Sequence, residues 1–269
     1  LPDPVALNLI CIGVFFLLKY NTQSKKYLLW AALFLISWSS MTKPFFMVPY
    51  LAFILTVLAN QIIIKKDKFP KFKWYYLIPI LCLVIWYFYA QWYNDLAGCD
   101  CFLSEPRPIW NETSEAISRI WKAMMERWLP EYINPTFLWV LGGIMFANLV
   151  WWTKKTILVY VFNVLVILGS ICFVLLFFNM FEYHDYYIFP VLFVIPVTVG
   201  VFFYKLTEVL NNKIIHSAIG LLSSLFIFYG LDYSWDKNEN RRKTDWINFR
   251  HIFENYNGLE HFLTKNKVS

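Results

Sequence analysis

The chain has 269 residues, of which 59% are hydrophobic, 21% are aromatic and only 16% are charged. This exceeds the apolar content that one soluble core needs, so the composition excludes an ordinary soluble domain and indicates a polytopic all-α membrane protein. The formal charge of +6 would suggest a nucleic-acid partner in a soluble protein, but here it comes mainly from lysines in the connections, so we predict no such partner.

Long apolar runs define the predicted membrane helices, since about 20 apolar residues cross a bilayer. We predict about eight transmembrane helices in a domain over 1–232, followed by a short tail over 233–269. We also expect Pro79, Pro190 and Pro196 to lie inside helices and to bend them. The predicted segments are 4–19, 27–41, 44–64, 74–92, 136–152, 156–178, 187–204 and 214–232.

Lysine density in the short connections predicts how the helices are oriented. The connections 19–26, 65–73, 153–155 and 204–213 are rich in lysine, Lys205 included, whereas Lys and Arg on the opposite face are spread over long segments. The positive-inside rule therefore places the short connections in the cytoplasm. Residues 241–243, Arg-Arg-Lys, favour a cytoplasmic tail instead, but four concordant connections outweigh them.

The outer face then has the N-terminal residues 1–3, the tight link 41–43, the loop 93–135, the stretch 181–187 and the tail from 233. Within that loop, residues 114–129 alternate apolar and charged positions at helical spacing, which predicts an amphipathic helix at the membrane interface. Cys99 and Cys101 lie in the same loop with one residue between them, so a disulfide within this pair would be strained. We expect these thiols, free or paired, to belong to a structural loop.

Two charged residues on the outer face have both a structural and a functional interpretation. Lys43 lies between two membrane helices, where a lysine often extends to the interface, but its ammonium group would also suit a lipid phosphate. Asp3 precedes Pro4 and fits an N-cap, and its carboxylate would also suit a sugar hydroxyl or a substrate amine. Both interpretations stay open from the residues alone.

The third polar feature is the stretch 181–187, Phe-Glu-Tyr-His-Asp-Tyr-Tyr, which we call the knot. Its tyrosines are typical of the aromatic belt at a membrane interface. Glu182, His184 and Asp185 suit metal binding, acid–base chemistry or a polar cap, but no second His or Cys recurs at ligand spacing. His184 beside carboxylates is better interpreted as a hydrogen-bonding or phosphate-binding group.

Three short motifs in this order on one face resemble the GT-C superclass of membrane glycosyltransferases. They are Leu1-Pro2-Asp3-Pro4, Thr42-Lys43-Pro44 and Glu182-Tyr183-His184-Asp185-Tyr186-Tyr187. The pattern is most similar to the bacterial branch that is related to the protein O-mannosyltransferases and the lipid A aminoarabinose transferase. The resemblance extends over nearly the whole chain, although each motif is short.

The resemblance implies transfer of a sugar from a polyprenyl-phosphate carrier to an acceptor hydroxyl at the outer face of a bacterial inner membrane. Lys43 would bind the phosphate, and Asp3 would be an acidic catalytic residue near the donor. Glu182, His184, Asp185 and Tyr186 would line the substrate cavity. The implied partners are membrane lipids, the lipid-linked donor and the hydroxyl acceptor; no cofactor is identified, and a divalent metal is left open.

One departure from that family concerns its main catalytic acid, which lies in an outer loop after the first membrane helix. No such loop precedes Leu1, and the chain lacks an initiator methionine, so we expect it to be a fragment of a longer protein.

In the function that the resemblance implies, Arg107 or Arg119 would add a second contact to the phosphate. The alternatives are a transporter or flippase, which would place ionisable groups near the bilayer midplane, and a non-catalytic membrane subunit.

Overall fold

The structure, a computed structural model, is helical over almost every residue that it describes, and none of these residues is in a strand. This confirms the all-α class. The structure describes residues 2–23, 25–65, 71–99, 106–151, 156–182 and 185–209. In the C-terminal part it also describes 217–244, except positions 219, 223, 226, 227, 231, 234 and 238.

The first two helices form a closely packed hairpin, α1 (Pro2–Gln23) and α2 (Lys26–Thr42). At Gly13 a Cβ atom would lie only 2.7 Å from Ile36 Cγ1, so the absent side chain lets the two backbones approach. The Ser39 hydroxyl also donates a hydrogen bond to the Ala6 carbonyl across the hairpin at 2.7 Å. Small residues at a helix interface commonly allow such contact in membranes.

The next two membrane segments each begin with a 3₁₀ turn and then a helix with proline in its first turn. The turn Pro44–Met47 leads into α3 (Val48–Ala59), which continues as a π-helical turn over Asn60–Ile64. The turn Trp74–Leu77 leads into α4 (Ile78–Ala97). Proline is well tolerated there because the first-turn N–H groups have no intrahelical partner.

This pattern corrects our expectation that Pro79 and Pro190 bend their helices from inside. Pro79 lies in the first turn of α4, and Pro190 lies in the first turn of α9 (Phe189–Leu192). Pro196 is likewise in the first turn of α10 (Val194–Val209). Pro79 and Pro190 therefore mark where helices start, whereas the predicted helix 187–204 is interrupted at Phe193, three residues before Pro196.

The predicted amphipathic helix is present and continuous over Ser114–Tyr132. It comprises α5 (Ser114–Lys122), a π-helical stretch over Ala123–Trp128 and α6 (Leu129–Tyr132). The Thr113 hydroxyl caps its start by accepting a hydrogen bond from the Ala116 N–H. We call Ser114–Tyr132 the loop helix; it meets the following α7 (Pro135–Val150) at 100°. It therefore lies across the end of α7.

The chain then enters α8 (Ile157–Leu176), and the knot region folds into two 3₁₀ turns, Phe178–Glu182 and Asp185–Ile188. The predicted segment 187–204 is two helices, α9 and α10, divided at Phe193. Because α10 continues to Val209, Lys205 is not in a connection as we predicted: it lies within the helix and is only 1% exposed.

Described residues of the eighth predicted segment, within 217–232, are helical, and so are those of the predicted tail within 233–244. Tyr233 donates a hydrogen bond to the Pro130 carbonyl, and Arg241 forms an ion pair with Glu131 at 3.2 Å. These contacts join the C-terminal part to the end of the loop helix. The rest of the predicted tail, from 245 onward, lies outside the described residues.

Three described helical segments are long and apolar enough to cross a membrane, Pro44–Ile64, Trp74–Ala97 and Ile157–Leu176. The loop helix with α7 would make a fourth if the bent pair counts as one span, while Val5–Phe16 and Val194–Leu206 are shorter apolar stretches. The structure thus has the helices of a membrane protein. About eight crossings remain a prediction.

Candidate functional site

Lys43 occupies the tight link between α2 and the turn Pro44–Met47. Its backbone is extended, and its N–H donates a hydrogen bond to the Ser39 carbonyl at 3.0 Å, which closes the end of α2. Its side chain is half-buried, and its Nζ atom lies 5.7 Å from the centre of the Tyr187 ring. Such a cation–π contact is worth about 0.5–2 kcal/mol, depending on desolvation. It brings Lys43 against the knot.

Aromatic packing holds this link in place. The Phe45 ring lies 4.5 Å from Phe173, 4.8 Å from Phe177 and 5.5 Å from Tyr187, measured between ring centres. Phe181 completes the group, 6.1 Å from Phe173 and 6.2 Å from Tyr187. We call these five residues the Phe45 cluster. Tilted aromatic pairs at such distances stabilise beyond the area they bury, so the cluster fixes Lys43 relative to the end of α8.

The loop helix packs on the same cluster from outside. Its apolar face is buried through Ile120, Met124 and Trp128. The Trp128 indole N–H donates a hydrogen bond to the Phe181 carbonyl at 2.7 Å. The apolar face of the helix that we expected at the membrane interface thus packs against the rest of the protein, while Trp121 remains exposed.

An ion pair also joins the loop helix to the knot, between Arg119 Nε and Glu182 Oε1 at 2.5 Å. The arginine side chain is 62% exposed, whereas the glutamate side chain is only 14% exposed. A charge-assisted hydrogen bond of this kind orients the carboxylate and neutralises its charge. Both residues were candidates from the sequence, and the structure pairs them with each other.

A second polar contact anchors the chain before the loop helix. Asn179 donates from its side-chain Nδ2 to Glu112 Oε1 at 2.7 Å, and its backbone N–H donates to the Arg107 carbonyl at 3.3 Å. Residues 107–112 are therefore held beside the knot. The backbone of Arg107, the other candidate phosphate contact, is close to the predicted site.

The remaining candidate residues are only partly described. Asp3 lies in the first turn of α1, which already includes Pro2, so Asp3 is not at the N-cap position that we considered. Helix α1 contacts both the turn Pro44–Met47 and α9. His184 lies outside the described residues, and so do the side chains of Asp3, Asp185 and Tyr186; the backbones of the last two belong to the turn Asp185–Ile188.

A groove of about 640 Å³ lies between α2 and α4 and is lined almost entirely by apolar atoms. Trp30, Phe34 and Trp38 of α2 contribute to it, as does Ile78 of α4. Its lining includes Thr42, the residue before Lys43. An apolar groove therefore extends along α2 to the residue next to the candidate cation.

Sequence reasoning missed a second polar group at the far ends of α7, α8 and α10. Asn148 Nδ2 donates to the Thr198 carbonyl at 2.7 Å, and the Thr198 hydroxyl lies 3.1 Å from Asn163 Oδ1 as its donor. Lys205 donates from Nζ to the carbonyls of Asn148 and Trp151 at 2.9 and 2.8 Å. We call Asn148, Asn163, Thr198 and Lys205 the polar seam. Its only sequence signal was two asparagines within apolar runs.

No three His, Cys, Asp or Glu side chains come together as metal ligands within the part of the chain that the structure describes. Cys99 is disulfide-bonded, whereas Cys11, Cys82 and Cys172 are free. Half-buried Lys43, the Arg119–Glu182 pair and the apolar groove are thus the chemical features of the Lys43 end. Groups of this kind suit an anion attached to an apolar chain better than they suit a metal ion.

The fold and these features define the class as an all-α protein with the long apolar helices of a membrane protein. No family model, curated protein or solved structure matches the chain.

Proposed function

We propose that the chain is part of a membrane glycosyltransferase that moves a sugar from a polyprenyl-phosphate carrier to an acceptor hydroxyl. The observation that carries the proposal is the convergence of Lys43, the knot and the loop helix around the Phe45 cluster. Three segments far apart in sequence, two of which contain motifs of the resemblance, thereby meet at one end of the bundle. The proposed location is a bacterial inner membrane with this end facing outward.

The proposed reaction needs a base, a cation and an apolar groove that binds the lipid carrier. The acceptor oxygen attacks the anomeric carbon and loses its proton to a carboxylate, while the bond between that carbon and the phosphate oxygen breaks. Lys43 stabilises the charge on the departing lipid phosphate. The groove between α2 and α4 takes the start of the prenyl chain, because its apolar lining reaches Thr42.

The carboxylates take different roles in this proposal. Glu182 is already paired with Arg119, so it positions the knot and does not serve as the free base. Asp3 is the candidate acidic residue near the donor. His184, Asp185 and Tyr186 line the cavity in this proposal.

Substitution of Lys43 tests the phosphate role. Full-length protein in nanodiscs is given a radiolabelled polyprenyl-phosphate sugar and an acceptor extract, and single-turnover sugar transfer is measured for Lys43→Ala and Lys43→Arg. We expect Lys43→Ala to lower the rate on the order of 10²–10³-fold, as for loss of one preorganised charge-stabilising donor. Lys43→Arg should recover part of the rate because it keeps the charge.

Lys122→Ala is the control for loss of a lysine elsewhere, since Lys122 lies on the loop helix and its side chain is 72% exposed. It should leave transfer unchanged. Thermal unfolding followed by tryptophan fluorescence separates a catalytic defect from a folding defect. Transfer by Lys43→Ala at the wild-type rate would contradict the phosphate role of Lys43.

A transporter or flippase is the second candidate, and the buried Lys205 favours it. An ionisable group inside a membrane helix is a common feature of transport pathways. Tracer flux of a lipid-linked sugar across proteoliposomes distinguishes the two functions. Flux that depends on Lys205 and persists in Lys43→Ala would support transport over transfer.

A further inference from the structure

The polar seam contains buried groups that its own side chains leave unsatisfied. Among the described side chains, Asn148 Oδ1 and Asn163 Nδ2 are buried polar atoms without a hydrogen-bond partner. Both residues are 0% exposed. An unpaired polar atom in the interior of a membrane protein is costly, since lipid supplies no hydrogen bonds.

Turning the amide groups around does not remove these unpaired atoms. The Thr198 carbonyl only accepts hydrogen bonds, so Asn148 must direct Nδ2 at it and leave Oδ1 unpaired. The Thr198 hydroxyl can donate or accept, so either amide atom of Asn163 can face it. Whichever atom does so, the other one still lacks a partner.

The charges and hydrogen-bonding groups of the polar seam restrict which kind of ligand could bind there. An anion would meet the unpaired oxygen of Asn148, and a cation would meet the ammonium of Lys205, which donates to the carbonyl of the same residue. A ligand that satisfies both amides must be neutral and able to donate and accept. Because the seam is fully buried, the ligand must also be very small, and water meets all of these conditions.

We propose that the polar seam is an internal water-binding site between α7, α8 and α10. Water donates to Asn148 Oδ1 and pairs with the free amide atom of Asn163, as acceptor or donor according to how that amide is turned. The site lies at the end of the bundle away from Lys43, because Asn148 and Lys205 are near the C-terminal ends of their helices and Asn163 is near the start of α8. It is independent of the proposed transferase activity.

Magnetisation transfer from water tests the proposal directly. The full chain is labelled with ¹⁵N-asparagine in lipid nanodiscs, and the side-chain amide signals are assigned with Asn148→Leu and Asn163→Leu. We expect dipolar cross-peaks between water and the Asn163 Nδ2 protons. Exposed Asn111 provides the reference for exchange with bulk water. Absence of a dipolar cross-peak at Asn163 would overturn the proposal.

The sign of a stability change gives a second test. Asn148→Leu keeps the branched shape and the number of heavy atoms of the side chain but removes the bonds to water and to Thr198, so a hydrated seam predicts a Tm lower by about 2–4 °C. A dry seam predicts a higher Tm, since leucine removes an unpaired acceptor. Thr56→Val is the control, because the Thr56 hydroxyl bonds only the Ala52 carbonyl of its own helix. A Tm that rises in Asn148→Leu would contradict the proposal.

Discussion

Replacing Gly169 with alanine tests the contact that brings α8 against the start of α3. A Cβ atom at Gly169 would lie 2.6 Å from Val48 Cγ1. Carbon atoms in contact rest about 3.5–4.0 Å apart, so the Val48 side chain or the two helices would have to shift by about 1 Å. Phe173 lies one turn further along α8 and Phe45 lies three residues before Val48, so a separation of the helices would also loosen the Phe45 cluster.

Two opposing contributions set the expected change in the free energy of unfolding. Overpacking a tight contact costs about 1–3 kcal/mol, while alanine is favoured over glycine in a helix interior by about 1 kcal/mol. Gly142→Ala is the matched control, because Gly142 is in the interior of α7 and a Cβ atom there meets nothing within 4 Å. The propensity gain cancels in the comparison, so Gly169→Ala should be less stable than Gly142→Ala by about 1–3 kcal/mol.

Unfolding in mixed micelles with increasing SDS, followed by tryptophan fluorescence and far-ultraviolet circular dichroism, measures this difference. Val48→Ala removes the atom in conflict, so adding it to Gly169→Ala should restore part of the lost stability beyond the sum of the single effects. Equal stability of Gly169→Ala and Gly142→Ala would refute the close contact. So would a double variant whose loss is simply additive.

Two further predictions concern how the loop helix is attached. In a double-mutant cycle of Arg119→Met and Glu182→Gln, we expect a coupling of about 0.2–1 kcal/mol that weakens in high salt, since the arginine is largely exposed; zero coupling at low salt would contradict the pair. Trp128→Phe should lower the free energy of unfolding by about 1 kcal/mol, because it removes the hydrogen bond to the Phe181 carbonyl and keeps an aromatic ring. The same SDS titration measures it, and an unchanged midpoint would show that the bond does not stabilise the fold.

The positions of the helices followed from the sequence because long apolar runs leave the backbone few alternatives. The predicted segment 44–64 coincides with the helical stretch Pro44–Ile64, and the predicted amphipathic helix 114–129 falls within Ser114–Tyr132. Apolar periodicity also indicated which face of the loop helix is buried. It did not show that the face packs on protein, since bilayer and protein interior favour the same side chains.

The polar contacts were not predictable, because each depends on which residues of distant segments face one another. Arg119 and Glu182 are 63 positions apart, and nothing in either segment specifies the other. Lys205 was assigned to a connection because the predicted apolar segment 187–204 ends just before it. The structure instead turns it toward the C-terminal carbonyls of α7, whose partial negative charge favours a cation.

The two ends of the bundle are stabilised by different forces, and α8 and α10 connect them. The Lys43 end depends mainly on aromatic packing, which tolerates small shifts, whereas the polar seam depends on directed hydrogen bonds, which lose strength over the same distances. Tyr187 lies only a few residues before α10, and Phe173 lies within α8, so the seam holds the helices that position both rings.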